Sequence, residues 1–503
     1  MAEGKVTQSE RSNYRSSFGA TLLFSGVQIY QILIRIVRSK FIALFIGPLG
    51  MGITSLLRST TDLISASTNL GLKTSGVKTV ASAKAEGDTE RISQTITVLR
   101  RLILLTGLVG AAICAFLSPV WSKISFGNNN YIWSFIFVSV IILIDQLNNG
   151  ELVLLQGMQQ RRMLAKANII GQTIGLVVTI PLYYFYGVAA IVWVLVLSSV
   201  ITFCVSWSFT RKLNIPKAKI SWHDTFDIGR EMIKLGIFLS LQYLFAQASL
   251  YIIRNFISNW GTLDDVGLYG AGTSIVDGYL GLIFTAMATD YFPRLAATHS
   301  NKEMNAAVKG QAEISMLLFA PIVVAFLVFM KPIIVLLYSD RFLPIEGMMY
   351  AAMSATIIKA LAWSLSYTIL AKGKPSFFFL NELISILYSV PIKLLAYKYW
   401  GLTGFGYAIV FTYILYLIQL IIVTKKLFGT TVGKTEWTIC AVSCLCICMA
   451  LFAKVLCPVL IGYIVGSVLL IGTAIYSYVE LNKRMDITDI VKKKVISKKQ
   501  TTI

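Results

Sequence analysis

The sequence predicts an all-α integral membrane protein with about fourteen transmembrane helices, and three observations predict it. Of its 503 residues, 56% are apolar and only 14% charged, where a soluble domain carries about 25% charged residues. Apolar stretches of about 20 residues, enough to cross ~30 Å of hydrocarbon, recur along the whole chain. Lys and Arg gather in every other connection, the layout of loops on the cytoplasmic side.

The stretches fall near 17–46, 49–72, 102–120, 131–157, 166–185, 187–209, 234–259, 266–292, 312–337, 345–371, 376–397, 402–424, 436–455 and 458–479. The turn Gly47-Pro48-Leu49-Gly50 closes the long first one. Counting both ends and alternate loops, one side holds 33 Lys and Arg, against 5 on the other (Lys40, Lys123, Arg341, Lys398 and Lys454). That asymmetry predicts an even number of spans with both termini in the cytoplasm. The longest connections, near 73–101 and 210–233, are basic and too short for a domain. Any function therefore lies between the helices. The polar N-terminus runs into its first apolar stretch without a small-residue cleavage pattern, so no removable signal peptide is expected.

The net charge of +21 does not predict nucleic-acid binding, because the basic residues sit in short clusters between apolar runs and not on a folded module. Cys440, Cys444, Cys446, Cys448 and Cys457 lie in apolar runs without a nearby His or carboxylate. They are expected as buried thiols, not metal ligands.

Residues 28–57 align with 247–276 at a constant offset of 219. Gln28 meets Gln247, Arg35 meets Arg254, Leu49 meets Leu268, and Thr54-Ser55 meets Thr273-Ser274. The offset pairs spans one and two with seven and eight, as in a parallel repeat about an axis along the membrane normal. The expected layout is a cytoplasmic N-terminus (1–16), an N-lobe of spans 1–6 (17–209), a linker (210–233) and a C-lobe of spans 7–12 (234–424). Two further spans (425–479) and a basic cytoplasmic tail (480–503) complete it.

Charge at membrane depth is costly, at least ~2.5–3.5 kcal/mol per group, and needs a partner or a wet cavity. Lys331, Arg38 and Glu382 lie near span ends and are expected to snorkel. Lys359 and Lys393 are expected to pair with carboxylates on neighbouring helices. Arg35 and Arg58 lie deeper, about 12 and 9 residues from the outer turn, or roughly 14–18 Å at 1.5 Å per residue. Arg254 and Asp277 occupy the repeat-equivalent positions. Three arginines against one carboxylate would leave positive charge uncompensated. A guanidinium fork matches phosphate oxygens bidentately, so this excess points to an anionic ligand such as a phosphate or diphosphate. The competing reading is that the arginines only brace the bundle through Asp62, Asp145 or Asp277. Asp145 and Glu151, with Asn148 and Asn149 between them, form a polar run in mid-span and are candidates for carrying a proton or Na⁺.

The segments Phe45-Ile46-Gly47-Pro48-Leu49-Gly50-Met51-Gly52, Thr54-Ser55-Leu56-Leu57, Val266-Gly267-Leu268-Tyr269-Gly270-Ala271-Gly272 and Tyr291-Phe292-Pro293-Arg294-Leu295-Ala296 resemble the polysaccharide flippases. These form the O-antigen translocase branch of the multidrug/oligosaccharidyl-lipid/polysaccharide exporter superfamily. The resemblance covers nearly the whole chain in span number and charge layout. It implies a two-lobed transporter of the bacterial inner membrane that flips an undecaprenyl-diphosphate-linked oligosaccharide by alternating access. It implies no bound cofactor, an H⁺ or Na⁺ gradient as driving force, and membrane lipids and a glycan polymerase as partners. It further implies that cavity arginines hold the diphosphate, with Arg35, Arg58 and Arg254 as the matching positions. In the related lipid II flippase the second-lobe arginine is on span eight, where this chain has Asp277.

Two rivals remain. A drug/cation antiporter of the same fold would want an acidic, aromatic cavity. A membrane glycan polymerase or acyltransferase would need outer-face His or carboxylates, whereas His223 and His299 fall in inner loops and no nucleophile–base pair is visible.

Overall fold

A computed structural model describes residues 8–215 and 218–485, and the first seven residues and the tail beyond 485 lie outside it. Every regular element among the described residues is helical. In chain order they are α1 (Gln8–Thr68), α2 (Leu72–Glu86), α3 (Thr89–Phe116), α4 (Ser118–Phe126), α5 (Ile132–Gly157), α6 (Arg161–Tyr186), α7 (Ile191–Arg211) and α8 (Trp222–Trp260). Then follow α9 (Leu263–Thr273), a π-helical turn Ser274–Tyr279, α10 (Leu280–Ala296), α11 (Asn301–Val328), α12 (Met330–Leu337) and α13 (Glu346–Ser354). The series ends with α14 (Thr356–Ala371), α15 (Pro375–Phe428), α16 (Lys434–Leu456) and α17 (Val459–Met485).

Among the described residues, eight helical stretches are long and apolar enough to cross a membrane, or ten if two bent pairs count as one span each. This is fewer than the fourteen expected. Two of the eight, Arg161–Arg211 and Pro375–Phe428, are broken at Gly187–Ala190 and at Gly401, and each contains two of the expected stretches. Helix α1 is likewise broken at the expected turn. Gly47 and Gly401 share a backbone of φ near 60° with ψ of −167° and −151°. Only glycine occupies that region without strain, so each stops one helix and starts the next within a single residue.

The basic connections are themselves largely helical. The 73–101 segment contains α2 and the first turns of α3, and α8 begins inside the 210–233 segment. Side-chain caps set these starts. Asp88 accepts from the amides of Glu90 and Arg91 to open α3, and Ser221 with Asp224 forms a reciprocal capping box at α8.

Packing divides the chain into two compact units, one comprising residues up to Gly270 with Leu337–Ser339, the other the remainder from Ala271. In the first unit α5 packs against α1, α2, α3 and α7, while α1 packs against α6 and α8. In the second, α11 is the central helix, against α14, α16 and α17. The lobes expected from the repeat describe duplication of sequence. The compact units describe packing, and they place α8 with the first half.

One pair of positions related by the 219 offset lies in contact, and two crevices are related by an offset of 214. Pro48 and Gly267, paired by the 219 offset, lie in contact inside the first unit. A Cβ at Gly267 would fall 1.9 Å from the Pro48 carbonyl oxygen, and one at Gly52 would fall 1.9 Å from that of Leu263. Beside Gly187, Leu182, Tyr186, Ala189, Ala190, Trp193 and Leu197 line an apolar crevice of about 370 Å³. In the second unit, beside Gly401, a crevice of about 610 Å³ includes the residue 214 positions after each of these six. The aromatic positions 186 and 193 stay aromatic, as Trp400 and Tyr407.

Candidate functional site

Among the described residues, helix α5 enters two hydrophobic clusters of the first unit. Phe135, Val138, Ile141 and Ile142 enter one, with Ile53, Leu57 and Ile64 of α1. Val153 and Leu154 enter the other, with Leu72, Leu99 and Met232. The polar run Asp145–Asn149 falls between them. Packing on either side therefore fixes α5 and leaves its polar middle facing a cavity of about 330 Å³, whose lining includes Asp62, Asn69, Lys73, Asp145, Asn149 and Tyr243. Gln146, 6% exposed, also lines it, and its amide nitrogen has no hydrogen-bond partner.

Arg58 donates to Asp145 at 3.0 Å, with both side chains about one-third exposed (33% and 35%). Asp62, one turn along α1, is close enough to Arg58, Arg254 and Asp145 to interact with all three charges. Arg254 of α8 is partly buried, and its Nε has no hydrogen-bond partner. No carboxylate lies within ion-pair distance of it among the described residues. Two of the predicted arginines, Arg58 and Arg254, thus share a cluster with two carboxylates.

Arg35 is exposed on the first half of α1 and makes no hydrogen bond or ion pair among the described residues. Its neighbour Arg38 corrects the expectation that it would snorkel. It is partly buried, donates to the Gln172 carbonyl of α6 at 3.2 Å, and is close enough to interact with Arg58 and Tyr183. Arg35 and Arg38 precede Gly47 by twelve and nine residues and Arg58 follows it by eleven, so depth does not separate the two arginines, and packing decides which of them faces Arg58.

Glu151 donates nothing to the cavity. Its side chain is 9% exposed and accepts from Arg100 of α3 at 2.9 Å. Arg100 and Arg101, expected as loop charges, are both on α3, where Arg101 donates to the Ile220 and Ser221 carbonyls and to the Thr225 hydroxyl at the start of α8. Asn148 is held by the Ser206 hydroxyl of α7 at 2.7 Å.

In the second unit Asp277 lies in the π-helical turn, and Lys359 of α14 donates to it at 2.8 Å. The expected partner for Lys359 is therefore found, and it is Asp277, whereas Asp277 was expected beside the arginines. Glu382, expected to snorkel, instead accepts from the Tyr416 hydroxyl within the unit. Lys331 pairs with Glu346 at 3.8 Å. No group of three or more His, Cys, Asp or Glu suited to a metal occurs among the described residues.

A profile described as polysaccharide biosynthesis protein matches residues 41–346. This chain belongs to that family. Its curated relatives include the lipid III flippase of Escherichia coli (strain K12), 20% identical over 387 residues, covering 75% of this chain and 90% of the flippase. Among solved structures, an inward-facing multidrug resistance MATE family transporter of the MOP superfamily is similar at TM-score 0.67 and 17% identity, covering 80% of this chain and 94% of its own. The lipid II flippase MurJ in an inward closed conformation is similar at TM-score 0.66 and 13% identity, covering 92% and 99%. This member of the polysaccharide biosynthesis family is a multi-pass α-helical membrane protein with the fold of those transporters. Its relatives are flippases and transporters, in keeping with a non-enzymatic role.

Proposed function

We propose that the chain flips a polyprenyl-diphosphate-linked oligosaccharide, an O-antigen or other surface-polysaccharide repeat unit, across the bacterial cytoplasmic membrane by alternating access. Both termini then face the cytoplasm, as the loop charge predicts. The single observation that carries the reading is the excess of guanidinium over carboxylate in the first unit. Arg38, Arg58 and Arg254 stand against Asp62 and Asp145, and Arg254 has no ion-pair partner among the described residues. A net cationic cluster at membrane depth is stabilised by an anion, and guanidinium forks favour phosphate. The lipid III flippase relative, a protein whose name states a lipid cargo, is consistent with this.

Coupling to an H⁺ or Na⁺ gradient is part of the proposal. Asp145 is favoured over Glu151 as the coupling carboxylate, because Asp145 lines the cavity and Glu151 is shut against Arg100. A glycan polymerase is a proposed partner. The test is complementation in a strain that needs its flippase, with Arg38, Arg58 and Arg254 changed together to Ala and, separately, to Lys. Loss of surface glycan with both sets at normal expression supports bidentate phosphate binding. Wild-type glycan with the Ala set disproves it.

One observation favours a second reading, a cation-coupled exporter of organic cations. The same cavity offers Asp62, Asp145 and the Tyr243 ring, a set suited to a cation. Transport of a fluorescent organic cation by the purified protein, unaffected by lipid-linked oligosaccharide, would establish it.

A further inference from the structure

The first unit holds a second polar node, away from the charged cluster, where the short helix α4 packs against the last turns of α8. Trp121 and Ser125 stand four residues apart on α4, and Tyr251 and Asn255 four apart on α8, so each pair shares one helix face. The Trp121 and Tyr251 rings meet edge to face, with centroids 6.1 Å apart. Direct bonds close the seam one turn further along α8. The Ser258 hydroxyl donates to the Ser125 carbonyl and the Asn259 amide to the Ile124 carbonyl, both at 2.7 Å.

Inside the seam, polar atoms are shut in without partners. Ser125, Asn255 and Tyr251 are 0%, 6% and 8% exposed. Their Oγ, Oδ1 and hydroxyl, with the indole Nε1 of Trp121, are buried and make no hydrogen bond among the described residues. The Tyr251 hydroxyl is close enough to interact with Ser125, Thr60 and Asn255, yet bonds to none of them. Thr60 spends its hydroxyl on the Leu56 carbonyl, and Asn255 spends its amide nitrogen on the Tyr251 carbonyl. Four such atoms gathered between two helices are costly unless one group pairs with them together.

The atoms themselves select that group. An indole N–H only donates, which disfavours a cation, and a carboxamide oxygen only accepts, which disfavours an anion. Lys123, the charged residue between Trp121 and Ser125, is exposed and supplies no buried charge. Water both donates and accepts, and a buried water makes about three hydrogen bonds to groups of this kind.

We propose that Trp121, Ser125, Tyr251 and Asn255 enclose a buried water that bridges α4 to α8. Such a bridge is nearly as favourable as a direct hydrogen bond, and bulk water replaces it when the helices separate. The seam is therefore held closed by contacts that cost little to exchange, unlike the apolar clusters around α5.

The test is X-ray radiolytic hydroxyl-radical footprinting of the full chain in nanodiscs, read residue by residue by mass spectrometry. Radicals form from water itself, so a shielded ring reacts only where water adjoins it. Tyr291 is the dry control, since it is 0% exposed and its hydroxyl donates to the Ser364 carbonyl. Tyr251 should be modified at least about tenfold faster than Tyr291, the contrast between a wet and a dry buried ring. Asn255→Leu removes the acceptor and should slow Tyr251 about fivefold, with Tyr291 unchanged. If faster modification of Tyr291 shows that this variant misfolds, Ser125→Ala carries the same expectation. Tyr251 reacting as slowly as Tyr291 would overturn the proposal. So would undiminished Tyr251 modification in a folded variant, which would mean bulk solvent and not a held water. Protection of Tyr251 on adding sodium or chloride would also overturn it, by assigning the node to an ion.

Discussion

Arg58 and Asp145 meet through a 3.0 Å ion pair that ties the second half of α1 to the polar middle of α5. Because the pair is about one-third exposed and lies beside a cavity, it is open to exchange. On the proposed function, a phosphate arriving at Arg58 would compete with Asp145, and an ion arriving at Asp145 would release Arg58. Cargo binding and ion binding would thereby act on one contact.

That exchange separates stability from transport. Arg58→Ala and Asp145→Ala should each cost about 1 kcal/mol or less of stability, since exposed pairs contribute little. The double variant should recover most of that loss. Transport should be lost in Arg58→Ala and remain lost in the double variant. Thermal unfolding alongside complementation checks this, and recovery of transport in the double variant would leave Arg58 with a bracing role only.

Arg254 lacks the ion-pair partner that Arg58 has. Arg254→Ala should therefore leave stability nearly unchanged while weakening undecaprenyl diphosphate binding by about 1.5–3 kcal/mol, the scale of a hydrogen bond to a charged group. Arg254→Lys should restore only part of it. Titration of the purified protein with undecaprenyl diphosphate reads both values.

Glu151 and Arg100 form the more buried pair, and breaking it should act on folding. Glu151→Gln leaves Arg100 without its counter-charge, but the guanidinium is 40% exposed and open to water, so the variant should destabilise by about 1 kcal/mol. Adding Arg100→Gln should recover much of this. If Glu151→Gln instead keeps its Tm and abolishes ion-dependent transport, Glu151 and not Asp145 carries the coupling ion.

The contact between Gly267 and the Pro48 carbonyl leaves no room for a methyl group. Gly267→Ala should cost about 1–3 kcal/mol, as overpacking does. Gly281→Ala, where the added Cβ meets nothing within 4 Å, should be neutral. Paired melting curves in detergent check the contrast.

The helical membrane fold was legible in composition and window length, because hydrocarbon thickness sets the length of each crossing. Gly47 was legible as a turn for a local reason, since Gly-Pro stops a helix whatever packs around it. The level of a charge along its helix could be counted in residues from that turn. Its partner could not. Arg35 and Arg38 differ by three residues, yet Arg38 turns toward α6 and Arg35 is exposed, because rotation about α1 is set by packing with distant helices. Asp277 illustrates the same limit, since the π-helical turn redirects it toward Lys359. Arg100 looked like a loop charge because its connection is basic, but α3 begins eleven residues earlier and carries it to Glu151.

The most direct measurement is translocation of a fluorescent polyprenyl-diphosphate-linked oligosaccharide in proteoliposomes, comparing wild type with Arg58→Ala/Arg254→Ala. The wild-type protein should move the lipid-linked glycan between leaflets, and the double variant should bind and move it at least tenfold less well. Full-rate translocation by the double variant, or no translocation by active wild-type protein, would contradict the arginine-held anionic cargo.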